Sequence, residues 1–260
     1  MKDNNVYTFR ASDGNTVKLE YREFLLSSAD LAREYAEAGY PDRYAVFTER
    51  QLFVSSGGNG APRVEGEQGL FLSCILRPSI FRSQAGLVRA LSAVALVTAL
   101  DEHVSSPLSI GWLSTIYCNG KKIGHCNIES KFDDHSSYEY LILNFSIKTD
   151  KKVFPPRLED MMRKVFESDN VSVGMIMAKS ILNRFFSIYR ELKTPAKHME
   201  VYRSRSAFTG KKVKYVNGQT KRTVKVLDVE KETCTLIVET KDGEKIRVNS
   251  PSRIIAPNRI

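Results

Sequence analysis

The periodicity of the apolar residues changes near Arg205, and this change constrains the fold more than any other feature. Before it, the segment from Arg82 to about His103 carries Leu and Val at helical spacing, with alanines that allow close approach to a sheet. After it, short alternating runs are joined by Asn217-Gly218 and Asp242-Gly243, which are strong hairpin signals. The two patterns together predict a helix-backed α+β domain followed by a small antiparallel barrel.

The domain boundary is predicted at this change of pattern, with one domain over residues 1–207 and the barrel over residues 208–260. In the first domain the predicted strands are Val6–Phe9, Val17–Tyr21, Tyr44–Thr48, Leu70–Leu76, Ser109–Trp112, Ile123–Ser130 and Glu139–Lys148. One helix is predicted after Ser27, whose hydroxyl can cap the free amides of the first turn. Three further helices are predicted over Arg82–His103, Arg157–Glu167 and Val173–Leu192. The predicted barrel strands are Lys211–Tyr215, Arg222–Asp228, Thr233–Glu239 and Lys245–Val248.

Composition is that of an ordinary soluble globular protein, with 42% hydrophobic and 27% charged residues among 260. No apolar run reaches the roughly 18 residues that a bilayer span needs. The first residues lack the apolar core of a secretory signal, so a cytoplasmic location is predicted. The four cysteines have no C-x-x-C spacing and the four histidines form no ligand cluster, so we predict buried free thiols and no metal site.

The net charge of +9 is uneven along the chain. From Phe208 to Ile260 there are 12 Lys and Arg against 6 Asp and Glu, so the predicted barrel carries +6. Such a field would suit an acidic partner or nucleic acid, or simply form a solvated basic surface. Nucleic-acid binding is disfavoured because base stacking needs exposed aromatic residues among the basic ones, and Tyr215 stands nearly alone.

The segment Gly111–Glu129, GWLSTIYCNGKKIGHCNIE, resembles a known pattern without a gap. The pattern is K-W-P-N-D followed by R/K-K-L-A-G-I-L-V-E, which is typical of biotin protein ligases. Three further segments resemble that family in the same order: SSADLAREYAEAGYPDRYAVFTERQ, GLFLSCILRP and YRSRSAFTGKKVKY. The resemblance covers nearly the whole chain, and it implies a mixed sheet backed by helices (biotin/lipoate ligase-like) followed by an SH3-like barrel.

The resemblance also implies ATP-dependent adenylation of biotin, yet the residues that serve this chemistry are replaced. The family's lysine and Asn-Asp pair correspond to Gly111, Ser114 and Thr115. The arginine-rich loop that follows the family's glutamine is missing after Gln51, where Arg63 is the only arginine. Developing phosphate charge needs fixed donors, and removing one such contact typically costs about 3 kcal/mol.

Two more departures affect the pocket. The family's G-x-G-x-N strand corresponds to Asn144-Phe145-Ser146-Ile147-Lys148, so side chains replace two glycines, and His125 replaces a small residue. We therefore expect a concavity smaller than a biotin site, closed partly by His125, Asn144 or Phe145. Its predicted neighbours are the vestigial pocket residues Ser28, Gln51, Gly111, Trp112, Lys122 and His125.

The predicted function is that of a non-catalytic or strongly degenerate family member, with no catalytic residue and no cofactor. It would bind a biotin carboxyl carrier domain, another ligase-family protein or an altered small ligand. The enzyme alternative uses biotin and Mg-ATP, with phosphate bound by Arg63, Lys121, Lys122 and Lys148. Cysteine acyl transfer is disfavoured, because Cys126 and its neighbour His125 lie on one predicted strand and point to opposite faces. Nucleic-acid binding through the basic barrel is the third alternative.

Overall fold

A computed structural model of the chain describes residues 5–56, 62–101, 106–148, 172–250 and 253–255. Its larger part is an eight-stranded mixed sheet in the order β1-β2-β3-β4-β8-β7-β6-β5. All neighbours are antiparallel except β2 and β3, which run parallel. The strands are β1 Val6–Arg10, β2 Thr16–Tyr21, β3 Tyr44–Ser56, β4 Pro62–Leu76, β5 Leu108–Gly111, β6 Thr115–Cys118, β7 Lys121–Phe132 and β8 Tyr138–Lys148.

Four α-helices are described: α1 Ser28–Glu37, α2 Ala85–Leu100, α3 Ser172–Tyr189 and α4 Ala196–Ser204. Helix α1 begins where Ser27 takes an extended conformation and its hydroxyl accepts a hydrogen bond from the amide of Asp30. It ends before Gly39, whose φ of +84° is a conformation that glycine adopts without strain. A 3-10 turn, Arg82–Gln84, leads into α2.

The helices divide between the two faces of the sheet. Helix α1 packs on β3, β4 and β8, and its small buried residues Ala32 and Ala36 meet Val46 and Ile142. Helices α2 and α3 pack against each other on the opposite face, over the larger core. Because successive strand residues alternate between faces, each strand between these layers contributes to both cores.

The last part of the chain forms a small five-stranded sheet in the order β12-β11-β10-β9-β13. Its strands are β9 Lys212–Asn217, β10 Thr220–Val229, β11 Leu236–Glu239, β12 Lys245–Val248 and β13 Ile254–Ile255. Both predicted hairpin turns join neighbouring strands, with positive φ at Gly218 and Gly243. The end strands β12 and β13 share no described pairing, so the described sheet is not a closed barrel.

The predicted fold class, a mixed sheet backed by helices with a small β domain after it, is confirmed. Strand β6 and helix α4 were not predicted, because each is short and has little periodicity of its own. The predicted helix Arg157–Glu167 lies outside the described residues. The boundary between residues 207 and 208 stays a prediction.

One helical segment of the described chain, Arg82–Leu100, is long and apolar enough to cross a membrane by length and composition. However, 67% of its most apolar window is buried inside the protein, and the central helix of a packed core passes the same test. Leu87, Leu91 and Val94 of α2 are buried in the larger core. This helix is therefore accounted for by packing.

Candidate functional site

A small polar depression lies where the start of α1 meets strands β3, β4, β7 and β8. Its volume is about 240 Å³, below the roughly 300 Å³ at the lower end of ordinary small-molecule sites. We call it the polar depression. It is lined by Ser27, Ser28, Ala29, Gln51, Glu67, Phe71, His125, Asn127, Glu129, Asn144, Phe145 and Ser146.

The wall nearest α1 is built by the helix start. The amide of Ser28 donates to Oε1 of Gln51 over 3.1 Å, which ties the first helical residue to β3. The buried hydroxyl of Ser73 on β4 donates to the hydroxyl of Ser28 over 2.9 Å. These bonds hold both Ser28 and Gln51 at the depression, and they already use part of their hydrogen-bonding capacity.

The opposite wall is formed by Glu129 of β7 and Asn144 of β8. Nδ2 of Asn144 donates to Oε1 of Glu129 over 3.2 Å, and Nη2 of Arg33 lies 3.1 Å from Oε2 of the same carboxylate. Arg33 also pairs with Asp30 over 2.5 Å. Oδ1 of Asn144 is buried and has no hydrogen-bond partner among the described residues.

The charge of this lining is acidic. Two carboxylates, Glu67 and Glu129, border the depression, and no lysine or arginine belongs to its described lining. The amides of Gln51, Asn127 and Asn144 make up much of the rest. Because Arg33 offsets the charge of Glu129, the described lining gives a ligand carboxylate or phosphate no lysine or arginine to pair with, while a neutral or cationic hydrogen-bond donor would meet acceptors.

Gly111 lies outside the depression and is closely covered. A Cβ at this position would lie 2.8 Å from a ring carbon of Tyr117 and 3.1 Å from a ring carbon of Phe208. Both rings are fully buried. The space that a longer side chain would need at residue 111 is therefore filled by aromatic packing.

Trp112 and Ser114 take part in packing and backbone contacts. The indole Nε1 of Trp112 donates to the carbonyl of Cys234 over 2.7 Å, which fastens the small β domain to the large sheet. The hydroxyl of Ser114 donates to the carbonyl of Cys126 over 2.6 Å and accepts from Nε of Arg89 over 2.9 Å. Burial lowers the pKa of Arg89 from its usual value.

The cysteines are unsuited to nucleophilic chemistry. Cys126 is buried beside Arg89 on the face covered by α2 and α3, while His125 borders the depression on the α1 face. Burial raises the pKa of the Cys126 thiol well above its usual value, and it raises that of Cys118 as well. Cys118 is the last residue of β6, before the turn in which the sequence had placed it. A thiol that resists ionisation is a poor nucleophile.

No protein-family model matches the chain. Its sequence is 25% identical over 181 residues to the bifunctional ligase/repressor BirA of Bacillus subtilis, which covers 68% of this chain and 55% of that protein. It is 24% identical over 236 residues to BirA of Bacillus spizizenii, covering 87% of this chain and 71% of that protein. The chain thus spans little more than half the length of the first of these relatives.

Solved structures share the fold. The biotin protein ligase of Aquifex aeolicus, in complex with biotin and ATP, matches with a TM-score of 0.64 and 21% identity, covering 89% of this chain and 95% of that one. A biotin protein ligase-like protein of unknown function from Silicibacter matches with a TM-score of 0.60 and 15% identity, covering 90% and 94%. The chain is thus similar in sequence to the two BirA ligase/repressors and in fold to the biotin protein ligase of Aquifex aeolicus.

The structure distributes the predicted ligase-site residues over two places. Ser28, Gln51 and His125 border the depression, whereas Gly111, Trp112 and Lys122 do not belong to its lining. Lys121 and Lys122 lie at the start of β7, opposite Cys118 and Tyr117 of β6. Arg63 and Lys148 lie on β4 and β8, but their side chains are outside the described part of the chain.

The residues expected to close the ligase-type pocket differ in their placement. His125 and Asn144 both border the depression. Phe145 borders it too, but its ring packs edge-on against Phe185 of α3, at 6.4 Å between centroids, on the opposite face. Of the three residues expected to close the pocket in part, His125, Asn144 or Phe145, the last turns its ring into the core, because side chains alternate between faces along β8.

Sequence reasoning missed Asn127 and Glu129, although a signal for both was present. Residues two apart on a strand share a face, so the placement of His125 on β7 implies that Asn127 and Glu129 follow it along the same wall. Glu67 could not have been found in this way. It reaches the depression because β4 extends back to Pro62, well before the strand start that the sequence indicated.

The described lining of the depression offers no lysine or arginine to an anionic ligand such as biotin or ATP. One of its two carboxylates, Glu129, is already paired with Arg33. The position of the family lysine is closed by Tyr117 and Phe208. Among the described residues no group of three or more His, Cys, Asp or Glu is arranged to hold a metal ion.

Proposed function

We propose that this chain is a non-catalytic relative of the biotin protein ligases that acts by binding a protein partner, with a biotin carboxyl carrier domain as the first candidate. The observation that carries the proposal is the packing at Gly111. An adenylating site needs a cation there, and Tyr117 and Phe208 occupy the space around it. The described lining of the depression supports the same conclusion, because it holds no lysine or arginine to pair with the carboxylate of biotin.

The partner follows from the relatives rather than from this chain's own geometry. The similar solved structure from Aquifex aeolicus is named a biotin protein ligase, and the resemblance to that family implies a carrier domain as the partner. A relative that keeps the fold and loses the chemistry retains surfaces that evolved beside such a partner. The cytoplasmic location predicted from the sequence remains part of this proposal.

The test incubates the purified chain with biotin, Mg-ATP and a biotin carboxyl carrier domain, followed by intact-mass spectrometry of the carrier. We expect no biotin adduct above the level without the chain, while an active biotin protein ligase labels the carrier fully. Stoichiometric labelling would refute the proposal and reinstate an active enzyme with a rebuilt ATP site. Arg63, Lys121, Lys122 and Lys148 would then be the first residues to replace.

A second measurement separates the two halves of the reaction. Exchange of pyrophosphate into ATP in the presence of biotin reports adenylation without a carrier, and we expect none. Calorimetric titration of the chain with the carrier domain reports binding without chemistry, and we expect a measurable affinity. If the carrier does not bind, the proposed partner is wrong, even if the other measurements show no catalysis.

Nucleic-acid binding through the small β domain has no specific observation in its favour. Tyr215, the aromatic residue in its basic stretch, is buried and leaves no ring for base stacking.

A further inference from the structure

A second, larger concavity lies at the other end of β4 and β8. It is a groove of about 1330 Å³ between the segment that follows β4, the turn before β8 and the end of α3, and it shares no lining residue with the polar depression. Four cations border it, Arg77, Arg82, Arg190 and Lys193, against one carboxylate, Asp42. We call it the basic groove.

The cations differ in how far they are already engaged. Arg77 is structural, since its guanidinium donates to the carbonyls of Ala36, Tyr40 and Glu139. Arg82 is held in place by one bond, from Nε to the carbonyl of Ser136 over 3.1 Å, and by stacking 3.6 Å above the ring centroid of Phe132. Its two Nη groups have no hydrogen-bond partner among the described residues, so these donors are available to a ligand that enters the groove.

The cations on the α3 side are only weakly engaged. Arg190 is 59% exposed and lies 3.9 Å from Glu191, which is already engaged by Lys197 at 2.7 Å and by His198 at 3.0 Å. Lys193 has no ion pair within the part of the chain that the structure describes. Arg82, held in place on one wall, and the weakly engaged Arg190 and Lys193 on the other together favour the binding of carboxylates.

The groove also presents apolar surface. Phe81 borders it and is 79% exposed, more than any other large hydrophobic residue of the described chain. Exposed aromatic rings beside arginines are typical of protein interfaces rather than of small-ion sites. A partner with both carboxylates and apolar side chains would use both features.

We propose that the basic groove binds an acidic segment of a partner protein, with Arg82, Arg190 and Lys193 pairing its carboxylates and Phe81 contacting an apolar side chain between them. The proposal stands whether or not the chain retains ligase activity, because the groove is separate from the depression. A protein segment fits better than nucleic acid. Asp42 borders the groove, and Asp133 and Asp134 lie in the same turn as its residue Ser136. A peptide can place neutral residues beside these aspartates and carboxylates beside the cations, whereas a phosphate backbone carries a negative charge at every step.

The test measures fluorescence anisotropy of a short labelled peptide of alternating glutamate and leucine, titrated with the full chain at moderate salt. The double variant Arg190→Glu/Lys193→Glu should weaken binding about tenfold or more, because it places like charge opposite the peptide. The matched control is Lys221→Glu/Arg222→Glu on β10, which changes net charge equally and should alter the affinity by less than about threefold. Both pairs are exposed.

A second variant guards against a folding effect, since cations near the end of a helix also stabilise that helix. Phe81→Ser should weaken binding about threefold without changing its salt dependence, and thermal unfolding of all variants is recorded alongside. The proposal is overturned if the peptide does not bind the wild-type chain, or if the two double variants weaken binding equally. It is also overturned if a single-stranded DNA oligonucleotide binds at least as tightly and loses affinity with Arg190→Glu/Lys193→Glu.

Discussion

The two faces of the eight-stranded sheet have diverged from the ligase pattern in different ways. On the face covered by α2 and α3, Trp112 matches the family pattern and is buried, and its indole N–H donates to the carbonyl of Cys234 in the small β domain. On the α1 face, Asn144 stands where the family pattern has a glycine, and it donates to Glu129, which matches the family pattern, inside the depression. The packing has been kept while the ligand-facing surface has changed.

This difference shows which constraint still acts on the sequence. Buried apolar contacts are costly to lose in any protein of this fold, whatever it binds. The lining of a partly open site contributes little to folding, so it can drift once its ligand no longer matters. Substitutions of buried residues on the face covered by α2 and α3 should therefore lower the free energy of unfolding by several kcal/mol, and substitutions in the depression should lower it little.

The largest effect is expected from Gly111→Lys, which restores the family residue. Its Cβ would meet Tyr117 and Phe208, and its ammonium would be forced among buried aromatic rings. We expect a loss of about 3 kcal/mol or more in the free energy of unfolding, measured by urea denaturation. Ser109→Lys, on the same strand but partly exposed, is the control and should lose much less. A Gly111→Lys variant of wild-type stability would break the comparison.

Glu49 is a carboxylate on the face covered by α2 and α3, and it should make the free energy of unfolding depend on pH. It lies against Gly174 of α3, where a Cβ would collide with Oε1, and burial raises its pKa from 4.5 to about 7. The folded state therefore holds this proton more tightly than the unfolded state. The stability that results is fully present below about pH 4.5 and is lost as the pH rises to 7.

The measurement compares the wild-type chain with Glu49→Gln by urea denaturation from pH 4.5 to 8. Glutamine keeps the shape and removes the titration, so Glu49→Gln should become the more stable protein by about 2 to 3 kcal/mol above pH 7. The two proteins should converge at low pH. If the free energy of unfolding of the two proteins differed by the same amount at every pH, Glu49 would be accessible to water in the folded protein, contrary to its packing.

A smaller effect is expected from Trp112→Phe, which removes the bond to the carbonyl of Cys234 and leaves that oxygen buried. We expect a loss of about 1 to 2 kcal/mol, together with faster proteolysis between the large sheet and the small β domain. Tyr140→Phe is the matched change on the α1 face, where the hydroxyl donates to Glu37 over 3.1 Å near solvent. Equal losses in the two variants would remove the distinction between the faces.

The smallest effect is expected in the depression itself. Glu129→Gln weakens the pair with Arg33, but these side chains are 35% and 41% exposed, so water screens the interaction. The loss should stay below about 1 kcal/mol. A double-mutant cycle with Arg33→Met would measure the pair directly. A much larger coupling would indicate that the depression is a preserved site rather than a drifting one.

The sequence by itself determined most of the fold. Helical spacing located α2 and α3. The Asn-Gly and Asp-Gly turns located the two hairpins of the small sheet. These signals are local, so they survive without knowledge of the neighbours. The family resemblance added the order of the layers, and the replacement of lysine by Gly111 was visible in the sequence alone.

Only the tertiary structure decided what surrounds these residues. That Tyr117 and Phe208 close the space at Gly111 depends on a chain separation of nearly a hundred residues, and no local pattern encodes such a contact. The same holds for the acidic lining, which joins Glu67 of β4 to Glu129 of β7, and for the basic groove, which joins Arg82 to Lys193. Charge and shape at a site are sums over distant segments, so they become defined only when the sheet brings those segments together.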